Sequence, residues 1–333
     1  MRTTLLFLLI FGMVCVQAPA NAQQAAKVPQ IGYLTTPVSQ SPSLPSDSRW
    51  RHAYEPFLQG LRELGYVEGQ NVIVTSRIGQ VSQLPDLAAD LVHRKVDVIV
   101  TNRDSTRAAM KATKTIPIVM TLAGNPVFHG FVASLERPGG NVTGVSGLTL
   151  ELGGKWLELL KETIPSARQV AVFWYRRAEE AFPMWKSLDL TARSLGVDLV
   201  WLEVRNPEDL DRRFRSAIWG KAAAFIVLPG SAVDRNMARL AELALKNRLP
   251  GIFWRTDLDL DQIGGLMAYG ANRHEQSRRA AYVVDKILKG AKPAELPVEL
   301  PKSFELVINQ KVAGELGITI SPRMLAWADH VFR

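Results

Sequence analysis

Strand-like and helix-like patterns alternate almost without a break from about residue 28 onward, and few folds accommodate that. Val28 to Leu34 reads as a buried strand. Trp50, Tyr54, Phe57, Leu58, Leu61 and Leu64 then recur at three- and four-residue spacings, the period of an amphipathic helix that Gly65 stops. Strands over 71–75, 96–101, 116–122 and 141–145 follow, with helices over 84–93 and 105–114 between them. Helices between successive strands imply βαβ units and a parallel sheet covered on both faces.

The alternation then starts again. A helix around 155–162 precedes a strand over 169–174, and Phe182, Trp185, Leu188, Ala192 and Leu195 form a second helical stripe before Gly196. Strands over 197–204, 223–228 and 251–254 enclose helices ending near Ile218 and Lys246. The two runs echo each other. Arg-Glu-Leu-Gly65 matches Arg-Ser-Leu-Gly196, Lys95-Val-Asp-Val-Ile-Val matches the segment from Lys221 to Val227, and Thr-Ile-Pro117 matches Arg-Leu-Pro250. These echoes favour two similar α/β lobes, each built on a parallel sheet, over one large sheet. Past Gly264-Gly265 come a strand over 266–269, a helix over 275–289 and a proline-rich connector over 292–301. A last strand at 304–308 and short helices at 311–316 and 322–332 complete the chain. About 70 residues beyond a finished second lobe suggest a return to the first, so the lobes join through several crossings, which make a hinge around a closing cleft. The expected division is a first lobe of 28–145 plus about 268–292, and a second of 146–265 plus about 303–333.

The first 22 residues stand apart. Arg2, the apolar run Leu5 to Val16 and the small-x-small site Ala20-Asn21-Ala22 predict a cleavable export signal and hence a periplasmic protein. The run is short for a membrane span, so direct membrane insertion of the mature chain is not expected. Cys15, the only cysteine, lies inside that run, so cleavage leaves a mature chain without thiols. Thiol catalysis, cysteine-ligated zinc and redox relays are thereby excluded. The net charge of +8 is spread among acids, as in Arg176-Arg177-Ala178-Glu179-Glu180, and not gathered into the stripe that nucleic acid requires.

Enzymatic signatures are missing. There is no G-x-S-x-G elbow, and Gly153-Gly154-Lys155 fails the phosphate-loop pattern at Thr149 and Trp156. The five histidines never fall at metal-binding spacing, and Asp257, Asp259 and Asp261 lack the glycine and terminal glutamate of a calcium loop. No catalytic residue, metal or cofactor is expected. Binding is better supported, because ligands of doubly wound sheets sit outside the carboxyl ends of the strands. Those ends carry Thr35-Thr36, Asn102, Asn125 and Gly230-Ser231, whose hydroxyls, amides and backbone N–H groups suit a small polar ligand. Trp174 and Tyr175 add aromatic faces, and Tyr269 falls near an expected crossing.

Several longer stretches resemble a known family. Gly60-Leu-Arg-Glu-Leu-Gly-Tyr-Val-Glu-Gly-Gln-Asn71, Gly124-Asn-Pro-Val127, Ser134-Leu-Glu-Arg-Pro-Gly-Gly-Asn-Val-Thr-Gly-Val145 and Gly265-Leu-Met-Ala-Tyr-Gly270 are similar to the substrate-binding proteins of ABC importers. The subgroup is the one that includes tryptophan- and tyrosine-uptake proteins, and Val284 to Pro293 and Phe304 to Asn309 extend the likeness. The resemblance implies the type I periplasmic-binding-protein fold, with two Rossmann-like lobes joined by a hinge of about three crossovers, a small-molecule ligand closed between them, and delivery to an ABC permease in the inner membrane. Relatives usually carry Asp at the position of Asn125, and Trp174-Tyr175-Arg176 replaces their Asn-Pro. These departures predict an anionic or neutral ligand of aromatic character in place of a standard zwitterion. A sensory module serving a membrane receptor and an exported α/β enzyme remain the alternatives.

Overall fold

The computed structural model describes residues 27–36, 51–147, 152–175, 182–206, 208–230, 236–256, 260 and 264–333. The proposed export signal, Ser231, Asp257, Asp259 and Asp261 lie outside the described residues.

The first sheet has strand order β2-β1-β3-β4-β5 and is parallel throughout. Its strands are β1 (Gln30–Thr35), β2 (Ile73–Ile78), β3 (Val98–Thr101), β4 (Ile118–Met120) and β5 (Val142–Gly144). Helices α2 (Leu84–His93) and α3 (Arg103–Ala112) cover one face through Leu84, Leu91, Ala108 and Ala109. Helix α1 (Arg51–Glu63) covers the other through Phe57 and Leu61, beside α8 (Arg273–Leu288) with Ala280, Val283 and Val284. Each buried Leu, Val or Phe contributes about 1.5–3 kcal/mol, so the apolar stripes decide which faces meet.

The second sheet has the order β12-β11-β10-β9-β8-β6-β7. It comprises β6 (Gln169–Tyr175), β7 (Asp198–Val204), β8 (Ala224–Val227), β9 (Gly251–Phe253), β10 (Met267–Ala271), β11 (Phe304–Asn309) and β12 (His330–Phe332). Helices α4 (Leu152–Thr163) and α5 (Phe182–Leu195), with α9 (Gln310–Leu316) and α10 (Pro322–Trp327), cover one face around Trp156, Leu160 and Leu188. Helices α6 (Asp209–Trp219) and α7 (Met237–Lys246) cover the other around Phe214, Leu240 and Phe225.

Two sequence expectations need correction. Met267–Ala271 does not open the return to the first lobe, because it pairs in parallel with β9 and antiparallel with β11. The crossing therefore falls at Asn272, which caps α8 by accepting from the Glu275 backbone N–H at 2.7 Å. The second lobe's sheet accordingly contains one antiparallel pair, β10 with β11. The helix expected over 322–332 ends at Trp327, and His330–Phe332 forms an edge strand beside β11.

Three segments connect the sheets, and the returning connector touches both of the others. After β5, Val145 bridges Glu299 of the returning connector, and Ser146 N–H donates to the Glu299 carbonyl at 2.9 Å. Glu299 is further tied to α8, since Arg279 donates to both its carboxylate oxygens at 2.9 Å. The remaining connection joins β10 to α8, where Asn272 N–H donates to the Ser303 carbonyl at 3.1 Å.

Candidate functional site

The carboxyl ends of β1 and β3 form a small polar network. The Asn102 carboxamide donates to the Thr35 hydroxyl at 3.0 Å and to the Thr36 hydroxyl at 2.9 Å. Its oxygen accepts from the Ser105 backbone N–H at 3.1 Å and so caps α3. Ser105 completes the lock by donating to the Leu34 carbonyl at 2.6 Å. Asn102 is therefore fixed in place by its own fold, and it holds two hydroxyls at the strand edge. A hydroxyl oxygen that accepts a bond still has a hydrogen to donate, which suits the Thr36 side chain to a ligand oxygen.

A cavity of about 730 Å³ lies where the lobes meet. Asn125, Pro126 and Ser146 line it from the first lobe, Lys155, Glu158 and Tyr269 from the second, and Leu300, Pro301 and Phe304 from the returning connector and β11. Asn125 opens a turn, its side-chain oxygen accepting from the Phe128 N–H at 3.1 Å. The Tyr269 ring stacks on Phe304 with centroids 6.0 Å apart and planes at 26°. Behind it the fully buried Trp156 donates its indole N–H to the Tyr269 carbonyl at 2.7 Å, pinning α4 to β10. Burial raises the Tyr269 hydroxyl above its ordinary range, so at neutral pH it stays a neutral donor. Lys155 and Glu158 pair at 3.1 Å on the outward side of α4. The volume is typical of a small-molecule site with apolar walls and few polar groups.

The nine residues expected from sequence thus fall into separate groups. Thr35, Thr36 and Asn102 share one network, and Asn125 and Tyr269 share the cavity. Trp174 joins neither. It makes an edge contact with Trp185 at 4.8 Å and lines a different hollow of about 350 Å³ with Trp185 and Trp201. The cause is strand alternation, which puts Trp174 on the same face as Val170 and Val172, toward α5. Gly230 is buried beyond the end of β8. Ser231 and the Tyr175 side chain lie outside the described residues. Lys155, Glu158 and Phe304 escaped the sequence reading. Lys155 had appeared only as a failed phosphate loop, and nothing local marks a strand's first residue as part of a site.

Among the described residues no group of three or more His, Cys, Asp or Glu side chains is placed to hold a metal, and no helix is long and apolar enough to cross a membrane.

Comparison with known proteins agrees with this architecture. A tyrosine-binding protein of Clostridioides difficile is 27% identical over 263 residues, covering 78% of this chain and 74% of that protein. A conserved domain protein from Vibrio cholerae superposes with a TM-score of 0.77 at 27% identity, covering 92% of this chain and 100% of that one. An ABC domain from Streptococcus pneumonia, solved in complex with L-Trp, gives a TM-score of 0.77 at 24% identity over 91% and 99% of the two chains. Neighbours at lower identity extend to type I periplasmic-binding-protein folds. Residues 43–332 match the family described as ABC transporter substrate binding protein. The chain is a member of that family, a binding protein and not an enzyme.

Proposed function

We propose that this protein captures an aromatic amino acid between its lobes and hands it to an ABC permease in the inner membrane, after export by the signal over 1–22. The observation that carries the ligand class is the stacked Tyr269–Phe304 pair in the cavity at the lobe junction. It offers a flat apolar surface, and the Lys155–Glu158 pair brings both signs of charge to the same cavity. A relative that binds tyrosine and a structural neighbour holding L-Trp support the same class. Asn125 lacks the carboxylate that would favour an ammonium, but Glu158 supplies one nearby, and so we prefer a zwitterion to the anionic or neutral ligand that Asn125 alone suggests. Binding shifts an open–closed equilibrium, because only the closed form touches the ligand from both lobes.

A thermal-shift screen of the chain from residue 23 tests this, using aromatic amino acids, their deaminated acids, dicarboxylates, nucleosides and sugars at about 1 mM. A ligand of micromolar affinity at that concentration adds about 4 kcal/mol of apparent stability, a shift of several degrees. Stabilisation by tryptophan or tyrosine, recovered unchanged, is the expected result. Stabilisation by sugars or nucleosides alone would reject the aromatic class.

A further inference from the structure

We infer that Gln276 keeps the hinge from settling in the lobe arrangement seen here: its side-chain amide is buried without a partner in this arrangement and gains one from a connector when the lobes turn. The inference concerns the hinge alone and holds for any class of ligand. Gln276 lies in the first turn of α8, and its backbone N–H donates to the carbonyl of the cap residue Asn272 at 3.1 Å. The side chain is 2% exposed, and neither its amide nitrogen nor its oxygen has a hydrogen-bond partner among the described residues. The fully buried Ser277 beside it has a hydroxyl that is likewise unpartnered among those residues. Buried polar groups of folded proteins are nearly always paired, and one left unpaired costs more than a hydrogen bond made returns. That cost falls on this arrangement and lowers its population relative to any in which the amide is bonded.

All three crossings converge on this side chain. A Cβ built at Gly147, in the segment that leaves β5, would stand 3.6 Å from the Gln276 Oε1. Gln276 itself belongs to the crossing into α8. It also lines a hollow of about 30 Å³, together with Val145 of the first crossing and Glu299, Pro301 and Ser303 of the returning connector. Protein interiors are otherwise close-packed, so a hollow between connectors leaves them room to shift. A turn of the returning connector into that room brings the Glu299 carboxylate or the Ser303 hydroxyl toward the amide. Glu299 accepts from Arg279 through both oxygens at 2.9 Å, and each oxygen keeps a lone pair for a further donor. Rotation of the lobes moves these connectors against α8, which couples the pairing of one amide to the angle of the hinge.

The test measures the distance between the lobes in wild type and in Gln276→Met, whose side chain has similar reach and no amide. The chain from residue 23 contains every described residue and no native cysteine. Cysteines placed at the exposed Lys114 and Lys246, one in each lobe, can therefore carry spin labels without competition. In the ligand-free wild type we expect two separations, one of them that of this structure. Gln276→Met should enrich that one over the other by about tenfold, because it relieves the unpaired amide here and removes its bond there. Unchanged proportions in the folded variant overturn the inference, and so does a shift away from the separation of this structure. A wild type found wholly at this separation overturns it as well, since the amide would then oppose nothing. Melting temperature reports folding, and Gln276→Leu gives the same reading should Gln276→Met fail to fold.

Discussion

Asn125 shows how a single side chain can serve structure and selectivity at once. Its oxygen caps the turn through Phe128, a role that aspartate performs equally well, and its amide faces the cavity that Tyr269 shares. Asn125→Asp should therefore leave the melting temperature within about 1 °C and add one negative charge to the site, an effect within the usual range for surface positions. We expect the affinity ratio of tryptophan to its deaminated acid to rise by about fivefold to tenfold, measured by calorimetric titration at low salt. An unchanged ratio would remove Asn125 from the ligand's surroundings. Asn102, by contrast, spends its side chain on Thr35, Thr36 and Ser105, so its substitution acts through the loops it holds.

Among the helices, α1 and α8 pack in close contact. A Cβ built at Gly60 would stand 2.5 Å from the Arg278 carbonyl and 2.8 Å from the Ala281 Cβ, so the two helices approach only because position 60 has no side chain. Gly60→Ala should force them apart and cost about 1–3 kcal/mol, seen as a melting point lower by several degrees. A variant that melts like wild type would mean the helices can part at no cost. The elements themselves were largely legible in the sequence, since helical stripes and buried runs depend on local period alone. Even the internal echo has a physical basis. Gly65 and Gly196 both take positive φ after their helices, Lys95 and Lys221 both sit at φ 55°, and the Pro117 and Pro250 carbonyls accept equivalent strand bonds from Ile99 and Phe225 at 2.9 Å. What the pattern could not convey was partnership. Met267–Ala271 is apolar enough for either sheet, and only its pairing with β9 decides. His330–Phe332 is a strand through its neighbour β11, and too short to declare itself. The site was harder still, because which end of a side chain faces the cavity depends on strand alternation and helix placement across more than a hundred residues, as Trp174 demonstrates.

For the whole molecule, the connectors are the functional part. The Arg279–Glu299 pair, reinforced by backbone bonds from Glu299 to Gly144 and Ser146, fixes the returning connector to the first lobe. Arg279→Gln leaves those backbone bonds intact and loosens the hinge. It should weaken ligand binding several-fold by lowering the population competent to close, with a stability loss of about 1 kcal/mol. Titration together with small-angle scattering of the ligand-free protein would check this, and identical affinity and radius of gyration would argue that the pair is ornamental to closure. The threading of the chain carries one more consequence. One face of the first sheet has only α1 over it until α8 arrives after residue 272, and the second sheet lacks its far edge until residue 332. A polypeptide emerging from the ribosome amino end first thus has no complete half to settle into for most of its synthesis. That lateness keeps the nascent chain pliable, the condition in which a protein can be threaded through a narrow translocation channel before it becomes a rigid body.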